Sequence, residues 1–127
     1  MIPHILMVDD EAPIRELYTL YFSTNGFEVS TAATAMDALD QVYRQKFDVI
    51  ILDLGLGDSN GMDLIGPIKS AQPDVPILIY TGRTVDETIR KEAFNRGACG
   101  FLIKSYPLNY IVMEIRRAIN SAQKPAQ

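Results

Sequence analysis

The chain has 127 residues, of which 47% are hydrophobic and 22% charged, with a net charge of −4. That suffices for one domain around a single core and not for two. No apolar run approaches the ~18 residues of a membrane span. No basic leader precedes Asp9-Asp10-Glu11, and the one cysteine, Cys99, has no partner for an internal disulfide.

Ile5-Leu6-Met7-Val8 predicts a first strand ending on Asp9-Asp10. Asp10 is placed to cap the helix that follows, with Pro13 in its first turn. Ile14, Leu17, Tyr18, Tyr21 and Phe22 mark one face of that helix, and Gly26 stops it. Phe27-Glu28-Val29-Ser30 alternates like a second strand. Thr34-Ala35-Met36-Asp37 approximates a capping box opening a helix with Ala38, Leu39, Val42 and Tyr43. The third strand, Val49-Ile50-Ile51-Leu52, ends on Asp53 and runs into a glycine-rich loop, Gly55 to Gly61.

A third helix on Leu64, Ile65 and Ile68 meets Gly66-Pro67 in its first turns. The missing donor and the crowding of the ring predict a kink or a late start. Ile77-Leu78-Ile79-Tyr80 ends on Thr81, Thr84-Val85-Asp86-Glu87 reads as a capping box, and Gly97 stops the fourth helix. Cys99, beside the next apolar run, reads as a buried small hydrophobe. That run, Gly100-Phe101-Leu102-Ile103, ends on Lys104; Pro107 stands near the start of a helix carrying Leu108, Ile111, Val112, Ile115 and Ile119. Residues 1–120 form the predicted domain, and the polar segment 121–127 a frayed tail or linker stub.

Five alternating strand and helix units with short connections predict an α/β fold, a three-layer, doubly wound parallel sheet with helices on both faces. The flavodoxin-like strand order 2-1-3-4-5 is expected, with Asp9, Asp10 and Asp53 at the switch point. Singly, each site candidate has a plain structural explanation. Asp9-Asp10-Glu11 caps a helix, Asp53 is a loop acid, Thr81 a turn former and Lys104 a surface lysine. Their common position, immediately after separate strands, outweighs those explanations. Three carboxylates this close repel one another, which protonation or a hard divalent cation would relieve, and Mg²⁺ suits an all-oxygen site.

The charge is uneven. Residues 1–63 hold eleven acids and three bases, net −8, whereas residues 64–127 hold five acids and nine bases, net +4. Arg83, Arg90, Lys91, Arg96, Arg116 and Arg117 are interspersed with acids, which predicts a solvated surface and not a nucleic-acid interface.

The chain resembles the receiver domain of two-component response regulators over residues 4–120. The match rests on Val8-Asp9-Asp10-Glu11, Ile50-Ile51-Leu52-Asp53-Leu54, Gly61, Tyr80-Thr81-Gly82 and Phe101-Leu102-Ile103-Lys104 in that order. The resemblance implies that Asp53 accepts a phosphoryl group from a sensor histidine kinase or histidine phosphotransfer protein. It implies Mg²⁺ held by Asp10, Asp53 and the Gly55 carbonyl, with Asp9 acting through water. Lys104 and Thr81 would contact phosphoryl oxygens. Phe101 would report the state of Thr81 to a face built from the fourth helix, fifth strand and fifth helix, for an output protein or domain yet to be identified. A cytoplasmic protein without membrane contact is expected.

This sequence departs from the usual pattern at some positions. Gly57 and Ser105 replace prolines, so the cis peptide usual after the lysine is in question. Phe101 lacks the frequent tyrosine hydroxyl, and Gly55 and Arg83 stand at positions that tune phosphoryl lifetime. His4 has no second ligand nearby in the pattern and is given no role. Two other functions compete. A Mg²⁺-dependent phosphohydrolase with an aspartyl nucleophile would want a second aspartate where Gly55 stands. A phosphate-independent interaction domain would not need the complete set of acids, hydroxyl and amine.

Overall fold

The computed structural model describes residues 2–57, 59–82 and 85–123. Strands β1 (His4–Val8), β2 (Glu28–Ala32) and β3 (Val49–Asp53) alternate with helices α1 (Ala12–Thr24) and α2 (Ala35–Arg44). A two-residue ribbon, β4 (Gly55–Leu56) and β5 (Ser59–Asn60), follows β3. Next come a 3₁₀ turn (Gly61–Leu64), α3 (Ile65–Ala71), β6 (Ile77–Thr81), α4 (Glu87–Arg96), β7 (Gly100–Ile103) and α5 (Leu108–Gln123). The main sheet has the order β2-β1-β3-β6-β7, all parallel. Counting its five strands alone, this is the expected doubly wound order, with β1 and β3 adjacent.

Strand alternation divides the apolar side chains between the two faces of the sheet. Leu6, Val8, Ile50, Leu52, Ile77 and Ile79 pack with Ala38 and Val42 of α2, Ile65 and Ile68 of α3, and Ala93 of α4. Ile5, Met7, Val49, Ile51, Leu78, Tyr80 and Leu102 face Tyr18 and Phe22 of α1 and Ile111 and Ile115 of α5. Burial on both faces explains why these strands are continuous apolar runs with no polar alternation.

Helix ends follow local chemistry. The Thr34 side chain accepts from the Asp37 N–H at 3.1 Å, as the capping pattern predicts. Gly26 and Gly97 adopt φ of +91° and +123° just beyond α1 and α4, backbone that favours glycine. The third helix starts late. The chain makes a 3₁₀ turn first, so Pro67 falls in the opening turn of α3, where its missing N–H breaks no helical bond.

Several expectations need correction. The N-cap of α1 is Glu11, not Asp10, and it makes no side-chain capping bond. The cap of α4 is Asp86, accepting from the Ile89 N–H at 2.9 Å; Thr84 of the expected capping box, and Arg83, lie outside the described residues. Cys99 is exposed, because it precedes an edge strand. Leu17 and Tyr43 also point to solvent, at 49% and 69% exposure, since only part of each predicted stripe meets the sheet. The last helix continues through Gln123, into the segment expected to fray. The Lys104–Ser105 peptide, whose state the sequence left open, is trans.

Candidate functional site

Asp9, at the end of β1, is fully buried. Its Oδ1 accepts from the Glu11 N–H at 2.9 Å, a local turn that fixes the carboxylate, and its backbone carbonyl accepts from Arg15 Nη1 at 2.7 Å. Asp10 is exposed, and its Oδ2 accepts from the Gly57 N–H at 3.0 Å. This bond to the loop after β3 is why Asp10 does not cap α1. Asp53, 8% exposed at the end of β3, accepts from the Gly55 N–H on Oδ1 at 3.0 Å.

These carboxylates present oxygens within 4.8 Å of one another. Lys104, from the end of β7, places Nζ 3.0 Å from Asp9 Oδ2 and 3.1 Å from Asp53 Oδ2. Burial pulls the ammonium pKa down, but hydrogen bonds and charge attraction from Asp9 and Asp53 outweigh it and hold it above the ordinary lysine value. The Lys104 backbone N–H donates to the Thr81 carbonyl at 2.7 Å, which joins the ends of β6 and β7. Thr81 is buried.

The loop geometry depends on Gly61, whose N–H donates to the Leu54 carbonyl at 2.9 Å. A Cβ there would lie 2.3 Å from the Asp53 carbonyl oxygen and 2.9 Å from Leu54 Cα, both backbone atoms. Only glycine lets the chain return so close behind the acid. Gly55 offers its backbone to the pocket and is exposed.

Asp9, Asp10, Asp53, Gly55 and Lys104 therefore converge, with Thr81 at the adjoining strand end. Phe101 stands apart, partly exposed, its ring edge-on to Phe94 at 5.5 Å and beneath the Arg90 guanidinium at 4.9 Å. His4 is distant from the acids in the sheet; its Nε2 pairs with Ser30 Oγ at 2.7 Å and its ring packs on Phe47. Two contributors escaped the sequence reading. Arg15 gives no positional signal beyond a charge on α1. The Gly57 N–H is a backbone donor, visible only as a glycine where the resembling pattern has proline.

The arrangement suits phosphoryl chemistry: a partly accessible strand-end carboxylate beside oxygen donors for a hard cation and an ammonium for anionic oxygens. Comparisons with known proteins agree. The sequence matches the response regulator receiver domain over residues 5–116. It is 34% identical over 119 residues to the regulatory protein LuxO of Vibrio vulnificus, covering 93% of this chain and 26% of LuxO. The chain thus spans about a quarter of the length of the curated relatives it first matches. The chemotaxis protein CheY4 of Vibrio cholerae superposes with a TM-score of 0.87 at 28% identity, covering 93% of this chain and 99% of that one. A response regulator from Burkholderia pseudomallei, solved with a phosphorylated aspartic acid and a calcium ion, gives 0.84 at 27% identity, covering 95% and 71%. Fold, pocket and sequence lead to one family: the chain is a response regulator receiver domain.

Proposed function

We propose that Asp53 is the phosphoacceptor of this receiver domain and that residues 1–120 form the working unit. The main support is the Lys104 ammonium resting between Asp9 and Asp53, a counter-charge positioned where phosphoryl oxygens would arrive. An Asp53 oxygen attacks the phosphorus of a phosphohistidine on a histidine kinase or histidine phosphotransfer protein. The new P–O bond forms as the P–N bond breaks, and the imidazole leaves with a proton from solvent. Lys104 then pairs with one phosphoryl oxygen and the Thr81 hydroxyl with another. Hydrolysis of the acyl phosphate by water in the same pocket returns the carboxylate, so the domain promotes both its phosphorylation and its dephosphorylation.

Asp10, Asp53 and the Gly55 carbonyl are the donors for Mg²⁺, with Asp9 acting through a bound water, and an oxygen-only set with excess negative charge fits that ion. When bound, the ion neutralises charge on the transferring oxygens. Asp10 Oδ2 is held by Gly57, which leaves Oδ1 for the metal. The calcium and phosphorylated aspartate of the Burkholderia protein support this assignment.

Phosphorylation adds charge beside Thr81 and biases an existing equilibrium, with Phe101 responding on the face formed by α4, β7 and α5. That face then engages an output protein or an effector domain, in the cytoplasm. The direct test is acetyl phosphate labelling followed by mass spectrometry. Wild-type protein gains one phosphoryl group at Asp53 and Asp53→Asn gains none; full-level labelling of the variant at another residue refutes the assignment.

A further inference from the structure

Tyr80 is the one aromatic residue of β6, a strand otherwise made of Ile77, Leu78, Ile79 and Thr81. It pairs in register with Asp53 across β3 and β6, so the two side chains leave the sheet on the same face. Its ring is 1% exposed, Tyr18 packs edge-on against it at 5.2 Å, and Lys104 Nζ lies 5.2 Å from its centroid. Among the described residues its hydroxyl is the only buried side-chain nitrogen or oxygen without a hydrogen bond of good geometry, the Tyr18 side chain being its polar neighbour. An orphaned phenol destabilises the fold, and an aliphatic side chain would avoid the penalty. The ring therefore supplies something an aliphatic residue cannot, namely a π face beneath the site's ammonium.

We infer that Tyr80 is a positioning residue for phosphoryl transfer, its ring holding the Lys104 ammonium in place while that group exchanges carboxylate partners for phosphoryl oxygens. The inference rests on the assignment of Asp53 as phosphoacceptor. Hydrogen bonds to Asp9 and Asp53 are directional and weaken as the ammonium turns towards an arriving phosphoryl group. Attraction to a ring face is broad in direction and persists through that movement. The hydroxyl has no part in this role, and the ring alone carries it.

The test uses Tyr80→Phe and Tyr80→Met, with beryllofluoride as the phosphoryl mimic in saturating Mg²⁺, followed by NMR titration well below each variant's melting temperature. Tyr80→Phe keeps the face and loses the orphan hydroxyl. It binds within about twofold of wild type and melts higher. Tyr80→Met fills the space without a ring and binds roughly tenfold more weakly, with acetyl phosphate labelling slowed in proportion. Mg²⁺ affinity, measured separately by calorimetry, is unchanged in both. Equal binding by wild type and Tyr80→Met overturns the inference, as does an equal loss in Tyr80→Phe. Wild-type protein that takes up no beryllofluoride overturns the phosphoacceptor assignment and this inference with it.

Discussion

Replacing Lys104 by methionine keeps the length of the stem and removes the ammonium that bridges Asp9 and Asp53. At 3.0 Å and an effective dielectric of about 20, each contact is a gross attraction of roughly 5 kcal/mol. Desolvation offsets much of that, and removing one partner from a buried pair costs about 3–5 kcal/mol. The Lys104 side chain is 21% exposed, so water softens the loss; we expect about 2–4 kcal/mol of unfolding free energy at pH 7. Urea denaturation measures it. The sign of the pH dependence follows from the raised pKa of Lys104. Its contribution is fully present below the unfolded value of 10.5 and is lost as pH rises through the higher folded value. The gap between wild type and Lys104→Met therefore narrows only in strongly alkaline solution. Millimolar Mg²⁺ stabilises the variant more than wild type, because the cation replaces the missing positive charge. A loss below about 1 kcal/mol, the worth of a surface pair, would refute the claim that this lysine neutralises a buried acid cluster.

Glycine substitutions separate crowding from flexibility. Gly61→Ala puts a methyl against the Asp53 and Leu54 backbone and should destabilise by about 1–3 kcal/mol. Gly66→Ala meets nothing within 4 Å and should stabilise by about 0.4–1 kcal/mol, both read from urea melts. Gly57→Pro deletes the N–H that holds Asp10 and should weaken calorimetric Mg²⁺ binding more than Gly57→Ala. The alanine variant adds a Cβ 3.1 Å from Asp10 Oδ2 but keeps the donor. Cys99 is exposed, yet partial desolvation pushes its thiol pKa up. Iodoacetamide at neutral pH should label it completely in folded protein, more slowly than in urea.

The parallel sheet was legible because four of its five strands carry apolar runs, and the site because each of those runs ends on a polar residue; the strand order came from the expected flavodoxin-like pattern and not from the runs themselves. Asp53, Asp10 and Lys104 needed only the topology to meet. The errors arose where a side chain or backbone group had two possible partners. Asp10 could cap α1 or accept from the Gly57 N–H, and a loop distant in sequence decided it. Cys99 adjoins an apolar strand, but that strand lies at the sheet edge, a distinction periodicity does not carry. Tyr80 looked like one more apolar strand residue; its importance lies in register with Asp53 and in the reach of Lys104, neither of which is local.

The division of the core by the sheet has a consequence for signalling. Asp53 and Tyr80 leave the sheet towards α1 and α5, whereas Phe101 packs with the core beneath α2, α3 and α4. In the proposed switch the sheet stands between sender and receiver, and Thr81, which alternates with Tyr80 onto the Phe101 side, brings the signal across at its rim. The Lys104 N–H bond to the Thr81 carbonyl lies on that rim, a doorway through which a displacement of either residue is felt on both sides.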